Sequence, residues 1–490
     1  MNVYSIHRRG RRRSFNVPAA RPSAASLLFI VLAFAVGCGG GPPKAAPTAP
    51  PAPSTQPAPS RQSGPAAPPQ APTQTTPPTP AATAAGLLAG LSRLIDQRGA
   101  AAQAPPAPAQ GKILERTLAE TFSKAEIDDL EQRFFVYGNY LPAEYAVDWY
   151  HLRFTSQDRN GAPLQMVGQL FVPRAEGKEF PLYVFGPGTT GLKDECAPSH
   201  EEPTERNWGD FEAHLLSYAA QGYVAVMPDY AGNPATGLQY YYIAEMHART
   251  MLDAARAGLR FSQDQPPPGT AKAANAVFFA GYSQGGHASY AARDFAASYA
   301  PELHVKGAIG YGPRGQVYTM LFEAPYLAPY LFYSYAQVYG SDKVPFRELL
   351  VPTVTRSLDE DMATKCIDEV PYYYGDYSPW ILQPDLDDAV DHNRLDKEFP
   401  VLKQLMDSND VGRAQSDIPV LILQGLSDTL VTPQTQQAFV QKLCSNGAKV
   451  TFDTYDGIPH VLTRQVSYRD VLAWMDAIQQ GRPPRVDCGR

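Results

Sequence analysis

One stretch, NAVFFAGYSQGGHASYAARDFAASYAPE at 275–302, restricts the possible folds more than any other. Its first part is an apolar run rich in β-branched and aromatic residues, too short for a helix and bounded by polar residues and glycine, so it reads as a buried strand. The Ala-rich continuation ends at Pro301 and reads as a helix. Between them stands Ser283, flanked by Gly281 and Gly285, positions where side chains would collide with the neighbouring strand and helix if the turn is sharp. A buried strand running through such a turn into a helix is the unit of an α/β sheet, and the turn lifts its serine above the sheet edge. An ordinary glycine turn would not demand both glycines.

A serine hydroxyl is a weak nucleophile at neutral pH and needs a histidine base held in the useful tautomer by a carboxylate. In α/β-hydrolases the three follow in the order Ser, acid, His, which confines the search to residues after 283. IPVLILQGLSDTLVTPQ predicts a strand over 418–424, a turn carrying Asp428, then Thr432 as helix cap with Pro433 at the first helical position. Asp428 thus falls just past a strand's carboxyl end, where such sheets build their sites. AKVTFDTYDGIPHVLTRQ then gives a strand and a glycine-containing loop with His460, the chosen base. His287 lies one helical turn after Ser283 on a face that the helix buries, His304 opens another strand, and His392 sits in an acidic, solvated stretch. Asp453 and Asp456, which precede the histidine on its own strand and loop, are the fallback acids.

The oxyanion of acyl transfer needs two N–H donors. Gln284, the residue after the serine, supplies one; the other is expected in GPGTTG at 186–191, after the strand 182–185, with Thr189 preferred and Thr190 second. GYVAVMPDYAGN ends a further strand at Asp229, which precedes the serine and is expected to brace loops under the site.

The 490 residues are too many for one compact core. Arginines at 8, 9, 11, 12 and 13, then SLLFIVLAFAVG, then Cys38 have the order of an export signal, and AVGC resembles a bacterial lipoprotein box in which Cys38 becomes lipidated. The apolar run is shorter than the roughly 20 residues needed to span a bilayer. Residues 39–111 are dominated by Pro, Ala, Gln and Thr and read as a disordered tether with a reach of about 45 Å. The organisation is therefore 1–38 signal, 39–111 tether, 112–315 first part of the α/β domain, 316–410 insertion and 411–490 second part. The net charge of −7, without a Lys/Arg stripe, argues against nucleic acid as a partner. Apart from Cys38, an even set remains at Cys196, Cys366, Cys444 and Cys488, which in an exported chain favours two disulfides over free thiols or a metal site. Three pairings are open. No metal and no cofactor is called for.

GPGTTGLKDECAPS, VAVMPDYAG, FAGYSQGGHAS, LQGLSDTLVTP and GIPH together resemble the secretory lipase family of α/β-hydrolases over about 180–460. The CAPS following the GPGTTG loop is more specific than the serine turn. The resemblance implies an α/β-hydrolase fold, with a mostly parallel central sheet, helices on both faces and a largely helical cap at 316–410. It also implies Ser283, Asp428 and His460 as a triad, Gln284 as an oxyanion donor, and Cys196 paired with Cys366, which leaves Cys444 for Cys488. The cap is dense in Tyr, Phe and Leu, a surface suited to an acyl chain or aromatic group. The tether is not part of the fungal pattern. The expected activity is hydrolysis of a small-molecule or lipid ester by a protein exported to the cell envelope or secreted, with membrane anchoring through Cys38. A serine exopeptidase and a non-catalytic ligand-binding hydrolase fold are the alternatives.

Overall fold

A computed structural model describes residues 110–489 except 202–205, 207, 233–236 and 265. The export signal, Cys38 and the tether as far as 109 lie outside the described residues. Nine strands form one sheet: β1 Ile113–Phe122, β2 Val147–Gln157, β3 Pro163–Pro173, β4 Glu179–Gly186, β5 Val224–Pro228, β6 Lys272–Tyr282, β7 Val305–Tyr311, β8 Val420–Gly425 and β9 Val450–Tyr455. Their order is β1-β2-β3-β5-β4-β6-β7-β8-β9. β4 through β9 run parallel to one another, while β1, β2 and β3 form an antiparallel extension, β3 pairing antiparallel with β5.

Side chains alternate across the parallel strands, and so does their destination. On β4, Leu182 and Val184 enter the core beneath the helices Ala244–Asp264, Gln284–Tyr299 and Pro433–Ser445, whereas Tyr183 and Phe185 pack toward Lys124–Phe134, Phe211–Ala220 and Tyr468–Gln479. Val420 and Ile422 on β8 join the first core, Leu421 and Leu423 the second. Both faces are covered, as continuous apolar parallel strands require.

Between β7 and β8, residues 312–419 carry helices and one isolated bridge, Leu350 to Leu382. Of the aromatics concentrated there, Tyr330, Phe332 and Tyr335 are fully buried, whereas Tyr372, Tyr377 and Trp380 are exposed. Two disulfides join Cys196 to Cys366 and Cys444 to Cys488, the pairing that the family resemblance implied.

The helix Lys124–Phe134 opens on a capping box between Ser123 and Glu126 and buries Glu131 completely, with no hydrogen-bond partner for either carboxylate oxygen. Burial, then the charge of Asp128, pushes its pKa up to about 8. In the unfolded chain the same group ionises near the ordinary carboxylate value, so the folded state binds the extra proton between the two. Its contribution to stability is thus complete below the unfolded pKa and is lost as pH rises through the folded one, with a slope approaching roughly 1.4 kcal/mol per pH unit. Denaturant melts across that window should show Glu131→Gln with a flatter stability profile than the unaltered chain; equal slopes would place the titration elsewhere.

Candidate active site

Strands β6, β7, β8 and β9 are successive neighbours in the sheet, and their carboxyl ends deliver the site. Ser283 occupies the single position between β6 and the helix Gln284–Tyr299 with φ 55° and ψ −111°, a conformation that costs a non-glycine residue energy and persists only when its surroundings impose it. The glycines are the imposing element. A methyl group on Gly281 would lie 1.9 Å from the Gly285 carbonyl oxygen, and one on Gly285 would lie 1.8 Å from that of Gly186. Both are inside any permitted contact. The turn is also hydrogen-bonded, with Ser283 N–H donating to the Tyr311 carbonyl at 3.0 Å and Gly286 N–H to the Ser283 carbonyl at 3.0 Å.

Asp428 stands three residues beyond β8, and His460 five beyond β9, at the start of a short helical turn. His460 Nδ1 and Asp428 Oδ2 are 2.7 Å apart. The other carboxylate oxygen of Asp428 accepts from the backbone N–H of Leu430 and of Val431, each at 2.9 Å. Burial acts to raise this carboxyl's pKa, but the His460 charge and hydrogen bond, with the two backbone donors, outweigh it and leave the pKa lowered. Asp428 therefore stays ionised although its side chain is wholly buried. The ring of Tyr282, which precedes Ser283, packs on His460 with centroids 4.9 Å apart, so the serine turn and the Asp–His pair belong to one cluster. Gly312, at the end of β7, completes the fit. Its φ is 53°, and a methyl there would fall 2.9 Å from His460 Nδ1.

On the side of the loop after β4, Thr189 is half-buried and its hydroxyl lies 2.9 Å from that of Tyr241. Thr190 is buried, its hydroxyl has no partner, and its carbonyl accepts from Ile367 N–H at 2.8 Å. That bond and the Cys196–Cys366 disulfide tie the loop to the helical insertion. Gln284 is the first residue of its helix, where a backbone N–H has no intrahelical acceptor. Asp229 accepts from the backbone N–H and the hydroxyl of Ser199, at 2.9 and 2.6 Å, and so fastens the CAPS segment.

The remaining candidates lie elsewhere. His287 is buried beneath the helix, His304 is exposed ahead of β7, and His392 is exposed beside Asp388. Asp453 pairs with Arg485, and Asp456 is exposed. Two features of the site had no sequence signal. Arg314 and Glu323 form a buried ion pair at 2.8 Å; Arg314 also donates to the Leu430 carbonyl, and Glu323 accepts from Thr432 N–H and its hydroxyl, so the insertion clasps the Asp428 loop. Arg464, 2% exposed, is enclosed by the rings of Tyr282, Phe134, Phe211 and Phe185, the first at 4.9 Å. Cation–π attraction there steadies the tyrosine that packs on His460.

The family model for secretory lipases matches residues 211–487. The chain belongs to the secretory lipase family, and so is a lipase-like carboxylic ester hydrolase. Lipase A of Arthroderma benhamiae is 25% identical to it over 352 residues, covering 66% of this chain and 69% of that one. A secreted triacylglycerol lipase of Malassezia globosa is 24% identical over 359 residues, covering 69% and 73%. The crystal structure of Candida antarctica lipase A superposes with a TM-score of 0.58 at 20% identity, covering 78% of this chain and 85% of that one, a likeness of fold. This member of the family carries its α/β-hydrolase sheet with the antiparallel extension and the helical insertion described above.

Proposed function

We propose that Ser283 attacks the carbonyl carbon of an ester, with His460 as general base and Asp428 as the group that orients it. His460 Nε2 takes the hydroxyl proton as the Oγ–carbon bond forms, then returns it to the departing alcohol oxygen. Water repeats the sequence on the acyl-enzyme and releases the acid. The N–H groups of Gln284 and Thr189, with Thr190 as the alternative to Thr189, hold the oxyanion. The observation that carries this reading is the 2.7 Å hydrogen bond between His460 and an ionised, buried Asp428, in ring contact with the residue before a strained serine. Asp428 accepts at Oδ2, so Nδ1 carries the proton and Nε2 is left free to act as a base. Residues 316–410 serve as a cap over the acyl group. Tyr326, from this segment, shares electrostatics with Asp428 and has its pKa raised to about 12, chiefly by burial.

The substrate class is a lipid ester, as for the lipases to which the chain is similar, and the secreted relatives support export. We read Cys38 as the lipid-bearing residue of an envelope-anchored form. Radiolabelled palmitate incorporated by the full chain and lost in Cys38→Ser is the expected result; label retained by the variant would remove the anchor. For the reaction, p-nitrophenyl esters from short to long acyl chains are to be offered to the full chain. Ser283-dependent release of p-nitrophenol is expected, and the optimum acyl length measures the depth of the cap. A folded preparation that cleaves no ester but does cleave aminoacyl anilides would make it a peptidase.

A further inference from the structure

Beneath the serine turn a set of buried polar side chains forms one continuous line. His287 Nε2 lies 2.7 Å from the Asn409 carbonyl, and His287 Nδ1 lies 2.9 Å from His247 Nδ1. His247 Nε2 is 3.2 Å from Gln284 Nε2, which donates to Gln239 Oε1 at 2.6 Å; Gln239 Nε2 donates to the Gly191 carbonyl at 3.1 Å. Both rings are at most 1% exposed, and Gln284 is fully buried.

Only one arrangement of protons satisfies the line. A carbonyl can only accept, so His287 Nε2 carries its proton and, in the neutral ring, Nδ1 is a bare acceptor. His247 must then donate from Nδ1, which leaves its Nε2 bare to accept from the Gln284 amide. That amide spends its second proton on Gln239, and Gln239 in turn faces the Gly191 carbonyl with its NH₂. The donors run outward from the Gln284 amide in both directions, toward the Asn409 carbonyl on one side and the Gly191 carbonyl on the other, and reversing either amide would set two acceptors or two donors face to face. Burial pushes both histidines down, His287 to about 4 and His247 well below its ordinary range, so the rings stay neutral. The groups packed against them are the rings of Tyr230 and Tyr242, neither charged at neutral pH.

Both ends of the line bear on the proposed chemistry. Gln284 follows Ser283 and supplies a proposed oxyanion N–H, while Gly191 closes the GPGTTG loop that supplies the other. Gln239 is fixed to that loop twice, since its backbone N–H also donates to the Leu192 carbonyl at 2.7 Å. Asn409, at the far end, caps the insertion's last helix, accepts from Ala244 N–H at 3.0 Å and donates to the Tyr339 hydroxyl at 2.7 Å.

We infer that His247 and His287 are positioning residues, a tautomer-locked relay that holds Gln284 and, through Gln239, the loop at Gly191 at the spacing an oxyanion requires. The inference rests on the ester-hydrolase reading above. It assigns to two histidines outside the triad a role in transition-state geometry without contact with substrate.

The test compares His247→Leu, which removes both hydrogen bonds, with His247→Gln, which keeps an acceptor for Gln284 near the position of ring Nε2. In the full chain, His247→Leu should lower kcat about 10- to 100-fold with KM changed less than about two-fold, because misplaced oxyanion donors weaken the transition state and leave ground-state binding alone. His247→Gln should restore most of that loss. Unchanged kcat in the leucine variant, or a glutamine variant as slow as the leucine one, overturns the relay. Imidazole ¹⁵N shifts of the unaltered chain supply a readout independent of turnover and of the leucine variant's folding. They should show His247, assigned by its loss in His247→Gln, protonated on Nδ1, and His287 protonated on Nε2, with neither titrating between about pH 5 and pH 8. The opposite tautomers overturn it as well. If the unaltered chain cleaves no ester, it is the hydrolase reading that fails, and the tautomers still decide the relay.

Discussion

Ser283→Ala is expected to lower kcat for ester hydrolysis by about a million-fold, the scale on which loss of a serine nucleophile disables a triad enzyme. In the proposed mechanism the serine is the only one of the three groups that forms a bond to the acyl carbon. The neighbouring hydroxyl, Tyr282, has its pKa pushed up by burial and packs on His460 through its ring. Stability should stay within about 0.5 kcal/mol of the unaltered chain, since the side chain is partly exposed and the alanine keeps the same strained backbone. Stopped assays with enough enzyme to detect residual turnover, beside thermal melts, separate the two effects. Residual activity within about ten-fold of the unaltered chain would mean that the nucleophile is elsewhere.

Asp428→Asn should cost about ten-thousand-fold in kcat while leaving KM and the fold nearly unchanged. The reason lies in the other half of the carboxylate. Its Oδ1 receives two backbone N–H groups, from Leu430 and Val431, so the amide that replaces it must keep its oxygen there and turn its NH₂ toward His460. His460 Nδ1, 2.7 Å away, would be forced to accept. The ring proton then moves to Nε2, the atom that should receive the proton of Ser283, and the base is lost without any loss of packing. Because the folded state depresses the pKa of Asp428, the carboxylate contributes stability above the unfolded value, and that contribution fades as pH falls through the folded one. Asp428→Asn should therefore also flatten the acid limb of the stability curve. A variant that retains activity, or one that loses it only by unfolding, contradicts the role.

The serine turn was legible because it is local. Gly281 reports a backbone crowding that operates within four residues, the 1.9 Å approach to Gly285, while the 1.8 Å approach of Gly285 to Gly186 is the contact with the neighbouring strand that the second glycine of the pattern allows. Asp428 was legible for a related reason, as Thr432 and Pro433 mark the helix start that follows it, and the cap hydrogen bond from Thr435 N–H to Thr432 is present. What escaped was non-local. The extension β1–β3 is buried on both faces over much of β2 and β3, so VDWYHLRFTSQ lacks the clean alternation by which an outer antiparallel strand is recognised. Arg464 and His247 look like the polar positions of amphipathic helices. Only the packing of Phe134, Phe211 and Tyr282 around one, and of His287 and Gln284 beside the other, gives them a place in the site.

The central claim is that Ser283, activated by His460, is the acylated residue. Incubating the full chain with a fluorophosphonate and mapping the adduct by mass spectrometry tests it without any assumption about the natural ester. One adduct per chain is expected, on the peptide containing Ser283, abolished in Ser283→Ala and slowed by orders of magnitude in His460→Ala. A folded chain that takes up no label, or takes it up on another residue, would contradict it.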